Sequence, residues 1–91
     1  LASQTALHFA SSNGHVKVAE LLIRRGADVR FGDVAGRTVL HIASFTSHVE
    51  VVKLLIDHGV DLDSGDLRRW TPLDLAYVRG HDKVCELLLS G

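Results

Sequence analysis

The chain's apolar residues fall in pairs of short runs. Leu7, Phe9 and Ala10 form the first, Val16, Val18, Ala19, Leu21, Leu22 and Ile23 the second, with polar Ser12-Asn13-Gly14-His15 between them. Neither run alternates as a half-buried strand would. The first predicts a short helix that begins after Thr5, whose hydroxyl can accept from the free amides of the first turn, and closes at Gly14, which tolerates a left-handed backbone. The second predicts a helix from His15 to Gly26. Its charged positions Lys17, Glu20 and Arg24 are spaced by three and four, so they share one face. Apolar residues occupy most of the remaining circumference, so this helix is covered on several sides and wet along one stripe. A polar connection follows, through Asp33-Val34-Ala35-Gly36, and predicts a turn or hairpin.

The whole pattern then recurs. Thr5, Thr38 and Thr71 are 33 residues apart, and the units starting at Thr5 and Thr38 are identical at 15 of 33 positions without a gap. The unit from Thr71 keeps the same register to the end of the chain, with Pro72 at the first helical position, where its missing donor costs nothing. The organisation is a partial leading turn (1–4), two full repeats (5–37 and 38–70) and a third cut at its end (71–91). A unit of this length cannot bury its apolar face alone and must stack on its neighbours. In the second unit Ser47 replaces the helix-closing glycine, a cost of about 1 kcal/mol if its φ is positive.

The repeated TALHFA, TVLHIA and TPLDLA, each followed by Gly-His or Ser-His and a V-x-x-LL run, with GAD or GVD closing the second helix, resemble ankyrin repeats. Asp74 departs from the histidine at positions 8 and 41; Arg69 and Ser3 stand where Gly36 stands; Ala6 and Val39 stand where Pro72 stands. The resemblance implies an all-α solenoid of stacked helix-turn-helix units joined by β-turn or hairpin tips. It implies a concave face made of turn tips and first helices, a role in protein–protein interaction, and an intracellular setting (cytoplasm or nucleus). Many such repeats carry asparagine where Asp63 stands, so asparagine hydroxylation is not available there.

Composition narrows the function. Ninety-one residues make one domain, five aromatics among them, so the core is Leu, Val, Ile and Ala. A net charge of −1 gives no global pull toward nucleic acid or acidic membranes. No apolar run approaches the roughly 20 residues of a membrane span. Cys85 is the only cysteine, which leaves no internal disulfide. Its alignment with Ala19 and Val52 marks it as a packing thiol rather than a nucleophile. The chain opens without a basic-then-apolar leader or an initiator methionine, and reads as an excerpt of a longer protein.

Five of the six histidines (His8, His41, His15, His48, His81) occupy repeat-equivalent positions, which predicts one structural ring per junction bonding backbone rather than a metal site. His58 sits in a last helical turn, where partial positive charge is welcome. No HExxH, CxxC, GxSxG or phosphate-cradling glycine loop is present. The reading is therefore no enzyme in this segment, no cofactor and no metal. The mixed charges of the second helices, including the pairs Glu20–Arg24 and Lys53–Asp57, describe a solvated face.

Given the resemblance, the unit-variable positions of the concave side are the candidate partner-binding residues. In the first unit these are small or uncharged (Leu1, Ala2, Gln4, Ser12, Asn13); the second and third supply Arg37, Phe45, Thr46, Leu67, Arg68, Arg69, Trp70, Val78 and Arg79. Tryptophan and arginine are enriched in binding hot spots. Trp70 is equivalent to Gln4 and Arg37, which predicts a presented anchor; the alternative is a ring folded back over Leu67 or Pro72. Clustered arginines call for a protein partner with acidic residues beside an apolar or aromatic knob, and lack the wider basic stripe of a nucleic-acid binder. The reading is a protein-binding module or adaptor. Its alternatives are a regulatory segment docking on a catalytic domain of a larger enzyme and, more distantly, a ligand- or metal-binding unit. Leu88 and Leu89 end the chain with no following repeat, which predicts either a continuing repeat or cap, or self-association through Leu87, Leu88 or Leu89.

Overall fold

A computed structural model describes residues 5–91; the expectations placed on Leu1, Ala2, Ser3 and Gln4 lie outside them. The described chain is six helices: α1 (Ala6–Ser12), α2 (Val16–Arg24), α3 (Val39–Phe45), α4 (Val49–Asp57), α5 (Pro72–Val78) and α6 (Asp82–Ser90). No strand occurs among the described residues. Each repeat is one pair, and the pairs stack in order: α1 packs on α3 and α3 on α5, while α2 packs on α4 and α4 on α6.

The starts of α1, α3 and α5 are set locally. Thr5, Thr38 and Thr71 are extended N-caps, and each makes a capping box with the residue three positions on, which is His8, His41 or Asp74. The ends rely on positive φ. Gly14 (71°), Ser47 (60°) and Gly80 (71°) each follow a first helix's last turn and cap. Ser47 therefore does carry the left-handed strain that its place in the repeat predicts. Gly14 is needed twice over, because a Cβ there would lie 2.6 Å from the His48 ring. The connections are hydrogen-bonded turns rather than paired strands. Asp33 N–H donates to the Arg37 carbonyl at 3.0 Å, and Asp66 N–H to that of Trp70 at 2.8 Å. The two tips are tied to each other where Leu67 N–H donates to the Ala35 carbonyl at 3.0 Å.

The core follows the stack. Leu7, Leu40, Val39, Val51, Val52, Leu55 and Val84 are essentially without exposure and lie between adjacent pairs. Burying each such side chain contributes roughly 1.5–3 kcal/mol before chain entropy is charged. Cys85 is partly buried and packs against this core, in line with its reading as a packing thiol. Leu88 is also buried, 7% exposed, because α6 turns it inward onto the stack; only Leu89 stands out, at 73%. The expectation that Leu88 ends uncovered is thus corrected. The surface stripe forms as expected on α2, with Glu20 and Arg24 3.4 Å apart, but Lys53 on α4 pairs with Glu50 at 3.5 Å rather than with Asp57.

Candidate interaction groove

The repeat junctions are held by histidine rings that reach between repeats. His8 Nδ1 accepts from Thr5, and its Nε2–H donates 3.1 Å to the carbonyl of Arg37, at the base of the next tip. His41 repeats this with Thr38 and with the Trp70 carbonyl, at 2.7 Å. The bonding fixes one tautomer, with the proton on Nε2. At the other junction His48 donates to the Ser12 carbonyl (3.0 Å) and His81 to that of Phe45 (2.9 Å). These four rings hold backbone, as their repeat spacing predicts; the fifth, His15, is exposed and has no backbone acceptor among the described residues, which corrects the expectation for it. His58 lies at the end of α4 and bonds the Leu54 carbonyl at 2.9 Å.

Trp70 is positioned by this scaffold. Its carbonyl receives both Asp66 N–H and His41 Nε2, and its own N–H donates to Asp66 Oδ1 at 2.9 Å. The backbone is pinned on both sides while the side chain remains 40% exposed. The indole lines an open pocket of about 290 Å³ with Arg37, Phe45, Asp66, Arg68, Leu75, Val78 and Arg79. Phe45, at the end of α3, is the floor. The Arg79 guanidinium stands 4.7 Å from its ring centre and that of Arg37 5.8 Å away, both in cation–π range.

Asp66 sits beneath them, its side chain 3% exposed. One carboxylate oxygen accepts from the amides of Arg68 (2.8 Å) and Trp70 (2.9 Å). The other faces Arg37 Nε at 3.6 Å. Burial alone pushes the Asp66 carboxyl up, but those two amides, His41 and the Arg37 guanidinium together outweigh it and hold the pKa below the ordinary 3.8. Asp66 is therefore ionised and neutralises one of the three lining arginines. Arg68 and Arg79 have no ion-pair partner among the described residues. The groove is thus locally cationic on a chain whose net charge is −1.

Of the nine candidate residues, Arg37, Phe45, Arg68, Trp70, Val78 and Arg79 are brought together here. The other three are not. Thr46 turns its hydroxyl back to the Ile42 carbonyl at 2.7 Å and finishes α3. Leu67 lies over the tip, where a Cβ on Gly36 would be 2.9 Å from its backbone nitrogen, and lines an adjoining depression with Ala35, Arg37, Asp66 and Arg68. Arg69 takes the positive φ (67°) of the glycine it replaces, and lines a separate shallow surface with Arg68, Trp70 and Asp74. Two lining residues were missed. Asp66 reads in sequence as a turn former and Leu75 as core; their counterparts Asp33 and Ile42 in the preceding unit are the signal that both positions sit at the tip and the concave helix.

Among the described residues no group of three or more His, Cys, Asp or Glu side chains could hold a metal ion, and no helix is long and apolar enough to cross a membrane. No curated protein matches the chain. A family model described as ankyrin repeats (3 copies) matches residues 7–91, the span occupied by the three helix pairs and their histidine junctions. Repeats of this kind are generally protein–protein interaction modules and are not catalytic. On its helices, its stacking and this match, the chain belongs to the ankyrin-repeat family.

Proposed function

We propose that the chain binds a protein partner through the groove between its second and third repeats, and that the bound segment presents an acidic side chain next to an aromatic or large apolar one. The observation that carries this reading is the Arg37–Phe45–Arg79 stack beside a half-exposed tryptophan whose backbone is fixed. Trp70, Phe45, Leu75 and Val78 offer an apolar seat, and Arg68 and Arg79 offer guanidinium faces unclaimed by any carboxylate of the described residues. A pre-positioned tryptophan loses little freedom on binding, which is the property of an anchor. A carboxylate gains bidentate hydrogen bonds from arginine. The single unpaired thiol fits the reducing interior of a cell, the location proposed here.

Selection from a displayed library of random peptides tests the reading. The expected result is enrichment of sequences pairing Asp or Glu with Trp, Phe or Leu. Their binding should weaken at least tenfold with Trp70→Ala or Arg79→Ala, and should weaken further as salt is raised. Selected peptides that bind both variants as well as the natural chain would place the contact elsewhere.

A further inference from the structure

The repeat scaffold does not require the chemistry of the groove. Three lining positions hold different residues at the preceding junction: Ser12 stands where Phe45 stands, Ala35 where Arg68 stands and Thr46 where Arg79 stands. What does recur is structural, since Asp33 and Asp66 both accept from the amides of their own tip. The ring floor and two of the three guanidiniums are therefore additions at one junction. That junction lies between α3 and α5, so two repeats within the chain build it.

The additions leave charge and hydrogen-bond donors over. Three arginines and one carboxylate line the pocket, so two positive charges remain once Asp66 is counted. Arg37 and Arg79 share the Phe45 ring. A guanidinium packed on a ring keeps its N–H edge free to donate two bonds at once to an anion. Asp66 does not use up Arg37 either. Its nearest approach is to Nε at 3.6 Å, beyond hydrogen-bond length, and that nitrogen is buried with no hydrogen-bond partner.

Apolar surface stands beside these donors. Trp70 and Val78 line the same pocket of about 290 Å³ and are 40% and 60% exposed. An acidic residue and a separate aromatic one would have to enter this opening as two side chains. A ring that carries its own anion meets both surfaces with one. A phosphate monoester carries about −1.5 to −2 at pH 7, which matches two arginines; a carboxylate carries one charge and leaves an arginine unmatched. A nucleic-acid phosphate also carries one charge, and the groove has no stripe of cations along which a nucleotide backbone could run.

We propose that the side chain this groove takes is a phosphotyrosine of a partner protein, its ring against Trp70 and Val78 and its phosphate held by Arg68 and Arg79. The inference rests on the groove being the contact surface. Phosphorylation of the partner then switches binding on. Plain tyrosine would cover the guanidiniums without giving them an acceptor. Phosphoserine brings the charge without the ring, so Trp70 and Val78 stay wet.

Trp70 is the chain's only tryptophan, so its emission reports occupancy of the groove. Four pools of otherwise random, tryptophan-free peptides are compared, with a fixed central phosphotyrosine, tyrosine, phosphoserine or Glu-Phe pair. The phosphotyrosine pool is expected to bind at least tenfold tighter than each of the others. Arg68→Gln and Arg79→Gln should each weaken it at least fivefold. In the double variant the phosphotyrosine and tyrosine pools should bind alike, with the helical circular dichroism unchanged. A phosphotyrosine pool that binds no tighter than the tyrosine or the phosphoserine pool would overturn the proposal. If the Glu-Phe pool then still shifts Trp70 emission and loses affinity in Arg79→Gln, the groove remains the contact surface and phosphotyrosine alone falls. If no pool shifts the emission, the reading of the groove falls with it. A preference for phosphotyrosine that survives the double variant puts the phosphate elsewhere and also overturns the proposal. So does a short single-stranded RNA that shifts Trp70 emission at lower concentration than the phosphotyrosine pool.

Discussion

Among the described residues, two hold a left-handed backbone without being glycine, Ser47 at φ 60° and Arg69 at φ 67°. An L side chain in that region costs roughly 1 kcal/mol. Ser47→Gly is therefore expected to stabilise the fold by roughly 0.5–1 kcal/mol, since it removes the strain and gives back only part of the gain to the freer unfolded chain. Gly36→Ala makes the opposite experiment at a neighbouring tip. It adds strain at φ 75° and also drives a Cβ to 2.9 Å from the Leu67 nitrogen, at the place where the two tips are tied. Its expected cost is about 1–3 kcal/mol, and urea midpoints of the two variants against the natural chain measure both. Arg69 differs from Ser47 in one respect: its backbone turn also sets where its side chain points. A candidate list built on repeat position alone puts Arg69 in the Phe45 pocket with Arg68, but Arg69 instead lines the neighbouring surface that it shares with Arg68, Trp70 and Asp74.

At the scale of elements, each of the first two repeats is latched to the next by a histidine that caps its own helix and bonds a carbonyl 29 positions further on. The His41 latch carries a pH signature. Burial, the largest effect, pulls its pKa below the ordinary 6.5; the Trp70 carbonyl and Asp66 pull it up, but not enough. The unfolded chain therefore binds the proton more readily than the folded one. The stabilisation is present above about pH 6.5 and is lost as pH falls through the folded-state value. Urea midpoints between pH 7.5 and 4.5 are expected to drop progressively on the acid side. In His41→Gln the midpoint at pH 7.5 should be lower, by about 1–3 kcal/mol in stability, and the acid drop should shrink.

How far such elements were legible in sequence depends on how local their causes are. Thr5, Thr38, Thr71 and Pro72 act within one turn, so the starts of α1, α3 and α5 could be read directly. That the histidines bond backbone was legible from their spacing, but the acceptors were not, because Trp70 meets His41 only after two repeats have stacked. The groove divides the same way. Phe45, Trp70 and Arg79 fall into it because repeat position fixes which face they take. Thr46 falls out because its hydroxyl finds the Ile42 carbonyl first, a choice that residue type alone does not settle.

For the molecule as a whole, nearest-neighbour stacking makes the middle repeat the only one covered on both sides. α3 packs on both α1 and α5, and α4 on both α2 and α6. Leu55, at 0% exposure, lies within that middle layer, whereas Leu89 projects at 73%. The same truncation should then have very different consequences. Leu55→Ala leaves a void that neither neighbour can fill and is expected to cost about 2–5 kcal/mol. That is a large share of the total stability of a domain this small, for which about 5–10 kcal/mol is ordinary. Leu89→Ala should cost less than about 0.5 kcal/mol. The repeats' dependence on one another also fixes the shape of the transition. An outer repeat without the middle one has exchanged its largest apolar contact for water, so loss of the Leu55 layer should bring down all three together. Circular dichroism and Trp70 fluorescence report on different parts of the stack, helices throughout and the tip between the second and third repeats. In Leu55→Ala the two should give one coincident transition at lower urea, because a stack of three has no interface it can lose and still remain folded on both sides of the break.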